Sequence, residues 1–80
     1  MFERTKHYYE VLAYKAATDD EPRDRDEYTR KAQAFAQARR KASTFGRVEL
    51  NVVYVNADDD NDVRGADLLA AWEHGTKTTK

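Results

Sequence analysis

After Gly46 the sequence RVELNVVYV changes side at every residue. Val48, Leu50, Val52 and Tyr54 fall on one face, and Arg47, Glu49, Asn51 and Val53 on the other. That period of two belongs to a half-buried strand, ending near Val55. Its backbone N–H and C=O groups need partners, and a two-stranded hairpin is only marginally stable in water. A chain of eighty residues must therefore find at least two more strands, and an all-helical fold is ruled out.

"HYYEVLAY", residues 7–14, is the first source. Three tyrosines and a valine suit a pleated, half-buried surface. Phe2, Thr5, Tyr9, Leu12 and Ala16 also fit helical spacing; the unpaired strand 48–55 favours the strand. The second source is "GADLLAAWEHG". Asp67 and Gly75 are placed to cap a short helix. As a strand, Ala66, Leu68, Ala70 and Trp72 line one face, with Leu69 and Ala71 on the other, which suits a central strand. The two descriptions of residues 66–74 are nearly balanced, and the need for a third strand tips towards β.

Between these lies a helix, expected from about Arg25 to Thr44. Asp24 and Glu27 fit a capping box, Pro22 lies upstream, and Gly46 stands where a left-handed cap is wanted. Tyr28, Ala32, Phe35, Ala38, Ala42 and Phe45 form an apolar stripe, with Arg30, Gln33, Gln37, Arg40 and Lys41 opposite. The expected architecture is α+β: a small β-α-β-β domain with one helix on a three-stranded sheet, the third strand filling a split βαβ gap. Residues 1–80 form a single domain with a flexible tail from about residue 75.

Charges are segregated. Asp19, Asp20, Glu21, Asp24, Asp26 and Glu27 form one acidic block, and Asp58, Asp59, Asp60 and Asp62 another. Between Tyr28 and Val48 there is no acid, only Arg30, Lys31, Arg39, Arg40, Lys41 and Arg47. A β-α-β order with parallel strands would gather both acidic blocks at one pole and most of the base at the other. Screening over roughly 8 Å in physiological salt would make the poles independent.

Known chemistries find little footing. "NADDDNDVRGAD" sets Asn56, Asp58, Asp60 and Asp62 at calcium-loop spacing, but Asn61 replaces the turn glycine and Asp67 the final glutamate. A solvated turn is the better description. His7 and His74 lack ligand partners at metal-site spacing, and Ser43, the only serine, has no base near it in sequence. No cofactor and no enzymatic activity are expected. The absence of cysteine fits a reducing cytosol, and MFERTK lacks the apolar run of a signal peptide. With no apolar run near the roughly 18 residues of a membrane span, the expected location is cytoplasmic, with no membrane partner.

The opening resembles a J-domain through "YYEVLAYKAATDDE" and the basic helix after it. The His-Pro-Asp tripeptide of that family is absent, Pro22 lying between Glu21 and Arg23, and a strand at 48–55 is foreign to its fold. In its size, segregated charge and helix-Gly-strand pattern over residues 26–55, the chain also resembles small inhibitor proteins of phages and mobile elements, the anti-CRISPR type among them. That resemblance implies inhibition by occupying a surface, without a cofactor, and carries over no site residue. The expected partner is a protein with a basic surface or groove, met by Asp19, Asp20, Glu21, Asp58, Asp59, Asp60 and Asp62. The alternatives are a nucleic-acid-binding module using Arg30, Arg40 and Lys41, and a dimerisation or subunit module of a larger assembly.

Overall fold

The computed structural model describes residues 4–79. Its elements are β1 (Thr5–Tyr14), β2 (Asp24–Tyr28), α1 (Lys31–Ala42), β3 (Arg47–Asn56), β4 (Asp59–Glu73) and β5 (Thr76–Lys77). They form an α+β domain with one helix on a five-stranded antiparallel sheet of order β2-β1-β3-β4-β5. "HYYEVLAY" is a strand, as expected, and its register runs from Thr5 opposite Asn56 to Tyr14 opposite Arg47. The pairing is antiparallel and direct, so there is no split βαβ gap. Residues 66–74 resolve as strand up to Glu73, within a β4 that is long because its hairpin with β3 extends past the helix.

The helix is shorter than its sequence pattern suggests. Asp24–Tyr28 pair with β1 and do not begin the helix. DRDEY alternates too: Asp24, Asp26 and Tyr28 lie opposite Ala13, Val11 and Tyr9, on the helix side, while Arg25 and Glu27 lie opposite Leu12 and Glu10. Strand pairing therefore displaces the capping box, and Arg30 caps the helix without a side-chain hydrogen bond. Ala34, Ala38 and Ala42 are buried; at its start the stripe runs through Ala34 and not Ala32, which is exposed. These small side chains bring the helix close to Val11, Ala13, Val48, Leu50, Ala70 and Trp72. Phe35 and Phe45 pack at the rim of that core.

Gly46 does not adopt the left-handed conformation expected of it; Gly75 is the glycine with positive φ. Gly46 matters by proximity. An added Cβ would stand 2.8 Å from the Lys15 carbonyl oxygen and 2.9 Å from the Ala17 nitrogen. The Gly46 N–H donates to Lys15 O at 3.1 Å, and the His74 N–H donates to Gly46 O at 2.9 Å. Arg47 secures the same corner. Its guanidinium lies 3.9 Å from the Tyr14 ring centre and donates to the carbonyls of Ala17 (2.7 Å) and Asp19 (3.0 Å).

Residues beyond Gly75, expected as a flexible tail, turn back onto β4. Lys77 pairs with Trp72 and Thr76 with Glu73, and the Thr78 N–H donates to Ala71 O at 2.8 Å. Phe2, which entered the helical alternative for the opening, lies outside the described residues.

Candidate functional site

β4 spans fifteen residues against the ten of β3, and the excess falls at three places: residues 60–62 between the Val55–Val63 and Asn56–Asp59 pairs, and one residue at each of two bulges. Leu50 lies opposite Ala70 but Asn51 opposite Leu68, so Leu69 is bulged; Tyr54 lies opposite Gly65 but Val55 opposite Val63, so Arg64 is bulged. Each bulge shifts the alternation by one. Leu69 is thereby turned onto the helix-side core, while Leu68, expected in line with Ala70 and Trp72, faces away and is 52% exposed. Bulges also bend and twist a strand, and the distal end of the hairpin curls over the face away from the helix. There Val53 and Val55 are buried although no helix covers them.

The curl creates a cleft of about 540 Å³. Asp60, Asn61 and Val63 form one wall, Arg25, Glu27 and Thr29 the other, and Lys6 and Tyr8 lie between. Lys6 is ion-paired with Asp60 across it. On the far wall Arg25 donates from Nε to Glu10 Oε2 at 2.7 Å and lies 3.5 Å from Glu27. The Tyr8 hydroxyl is held above its ordinary pKa, first by burial and then by Glu27 and Glu10, so it stays a neutral donor. Its surroundings favour hydrogen bonding and not proton transfer near neutrality.

The acidic blocks do not share a pole. Because β1 and β3 are antiparallel, Asp19, Asp20 and Glu21 sit at the end where β3 starts, near Arg47 and the helix C-terminus with Arg39 and Arg40. Asp58, Asp59, Asp60 and Asp62 sit at the opposite end, with Arg4, Lys6 and Arg64. The Ala57 N–H donates to Arg4 O at 2.8 Å, which fixes that end. The parallel crossover assumed from sequence is what misplaced them.

Individual acids differ in how far they are already engaged. Asp24 and Asp26 both bind Lys41. Asp60 binds Lys6, and Asp62 lies 2.9 Å from Arg64. Asp19 accepts from the Ala16 N–H at 3.0 Å. Asn56 and Asp59 make turns of their own, accepting from the N–H groups of Asp58 (2.9 Å) and Asn61 (3.0 Å). Asp20, Glu21, Asp58 and Asp59 have no basic partner among the described residues. The would-be calcium loop is thus the end of a hairpin, its aspartates distributed among a turn and two cations.

The basic set is broken up as well. Lys41 points to β2, its side chain 12% exposed. Arg30 and Arg40 remain exposed at opposite ends of the helix, roughly 15 Å apart at 1.5 Å per residue. Sequence reasoning missed an aromatic strip near the helix start, where His7 stacks edge-on to Tyr9 (5.5 Å) and tilts to Tyr54 (6.2 Å), with Lys31 in the same hollow. The signal was present in the shared parity of His7 and Tyr9, had Tyr54 been paired with them.

No protein-family model, curated protein or solved structure matches this chain. Among the described residues no helix is long and apolar enough to cross a membrane, and no group of three His, Cys, Asp or Glu side chains is placed to hold a metal ion.

Proposed function

We propose that this is a non-enzymatic binding protein that uses the distal end of the β3–β4 hairpin to occupy a basic surface or groove on a partner protein or nucleoprotein complex. The supporting observation is the uneven engagement of the acids. Asp58 and Asp59 are exposed at the tip without a basic partner among the described residues, and Asp60 and Asp62 beside them are held by exchangeable ion pairs, Asp62 also accepting from Asn56 Nδ2 at 3.3 Å. A cation on the partner can take up the former without breaking anything and the latter by replacement. The inner acids of the first block are committed to Lys41 and Arg25, so the reading narrows from both blocks to the distal one. Asp19, Asp20 and Glu21 become a secondary contact at most. Masking a cationic groove needs neither cofactor nor catalysis, and it is how a small inhibitor of the phage or mobile-element kind would act.

The test is comparative capture from extracts of the native host. Immobilised wild type should retain a partner that Asp58→Asn/Asp59→Asn/Asp60→Asn/Asp62→Asn loses, and association should weaken steeply with salt. Equal retention by the fourfold variant overturns the reading.

A second reading, nucleic-acid binding, is favoured by one feature: the His7, Tyr9 and Tyr54 rings with Lys31 in the same hollow suit base stacking with a phosphate contact. Lys41 contributes nothing to it. A gel shift with single-stranded DNA and RNA that is lost in Tyr54→Ala/Lys31→Glu, and kept in the aspartate variant, would replace the first reading with this one.

A further inference from the structure

The outer edge of β4 is open. β5 covers it only at Trp72 and Glu73, and Thr78 and Thr79 add hydrogen bonds at Ala71. From Asp59 to Ala70 the strand has no neighbour on that side among the described residues. Along it Val63 is 56% and Leu68 52% exposed. Exposed edges of this length invite strand pairing unless charge or irregularity deters it. Here the charges and bulges deter most sequences, but they fit one.

We infer that the occupant is a second copy of this chain, paired antiparallel through β4 about a two-fold axis at Ala66. A two-fold perpendicular to a sheet preserves its faces, so residues set opposite one another must share a face in the monomer. Because Arg64 is bulged, Val63, Ala66 and Leu68 do share one: they lie opposite Val55, Val53 and Asn51 of β3. With the axis at Ala66, Val63 of each copy lies opposite Leu68 of the other, so the two exposed apolar side chains of the edge cover each other twice. Gly65 and Asp67 lie opposite one another, and the bulged Arg64 is brought beside Asp67 of the second copy. Asp62 falls opposite Ala70, so no acid meets an acid.

Other registers lose this match. Moving the axis one step to Gly65 sets Val63 opposite Ala66 and Asp62 opposite Asp67, acid against acid; moving it to Asp67 sets that acid against its own copy and Val63 opposite Ala71, which residues 78 and 79 already cover. The paired stretch also stops where β5 begins, so nothing has to be displaced. Isologous contact of one patch with itself is the commonest route to a dimer. The inference does not depend on the partner proposed above, since it concerns the isolated protein.

Sedimentation of the isolated chain should show a reversible dimer of twice the 9.3 kDa protomer mass, with a dissociation constant tighter than about 100 μM. Arg64→Asp and Asp67→Arg should each shift the equilibrium to monomer by at least about tenfold, since each sets like charges together twice. Mixed one to one, those two variants should pair with each other, because only the heterodimer restores opposite charges at both contacts. The chain has no cysteine, so Ala66→Cys should oxidise to a disulfide-linked dimer while Arg40→Cys does not. A wild type that stays monomeric up to 100 μM, a dimer whose charge variants show no preference for each other, or equal cross-linking at both cysteine positions overturns the inference. Circular dichroism of each variant separates loss of pairing from loss of fold.

Discussion

Lys41 Nζ lies 2.7 Å from Asp24 Oδ2 and is also bonded to Asp26, so the last turn of the helix is tied to the edge strand β2. Asp24 is held below its ordinary 3.8, first by the Lys41 hydrogen bond. Lys41 is held above its ordinary 10.5; burial opposes this, and the hydrogen bonds and charges of Asp24 and Asp26 outweigh it. A depressed carboxyl stabilises the fold above its unfolded pKa and loses that contribution as pH falls through the folded value. A raised amine stabilises below its unfolded pKa and loses it as pH rises through the folded value. The latch therefore holds between about pH 4 and 10 and opens on either side. Lys41→Met should cost about 1–2 kcal/mol at neutral pH, between the values for exposed and buried pairs. It should also flatten the acid limb of a stability–pH profile measured by urea denaturation.

Gly46→Ala should destabilise by about 1–3 kcal/mol through overpacking. The new methyl meets backbone atoms of Lys15 and Ala17, which cannot swing aside as a side-chain end can. Because φ at Gly46 is ordinary, no conformational strain is involved, and a Gly75→Ala control probes that separate effect. Thermal melts of both variants decide it.

Trp72 is nearly buried, and Phe35 stacks edge-on to it at 6.4 Å while remaining partly exposed. Trp72→Ala should cost about 3–5 kcal/mol. Phe35→Ala should cost less, about 2 kcal/mol, because its ring is only partly buried. The single tryptophan reports directly: its emission should move to longer wavelength in Phe35→Ala as water reaches the indole.

Calcium at millimolar concentration should leave the melting temperature unchanged, since a ligand binding only the folded state raises it by mass action. Asp60 and Asp62 are bound to Lys6 and Arg64, and Asp59 Oδ1 accepts from the Asn61 N–H. A saturable rise abolished by Asp60→Ala would show that calcium displaces these cations.

What the sequence made legible was whatever depends on period and composition. The strands at 7–14 and 48–55, one alanine-faced helix and the final strand follow from alternation and from the need of each strand for partners. What it concealed depends on long-range pairing. Asp24 and Glu27 offer a good local cap, and only the pairing of Val11 with Asp26 and the pull of Lys41 show why residues 24–28 extend instead. The bulges at Arg64 and Leu69 leave no local signature, so the exposure of Leu68 was not foreseeable. The charge poles failed for the same reason: a helix joins β2 to β3, and whether β1 and β3 run parallel depends on the edge strand hidden inside the predicted helix.

The sheet order makes the domain two hairpins, β1–β2 and β3–β4, joined along a single β1–β3 seam. Each hairpin closes a short segment, whereas the seam joins Tyr14 to Arg47 and Thr5 to Asn56 across all of β2 and the helix. Closing a long segment costs entropy that local contacts do not, and pairings distant in sequence slow folding. The seam is therefore the slow step of assembly. Amide protection should rise first within the β3–β4 hairpin during refolding, and last at those residues of β1 and β3 whose amides bond across the seam.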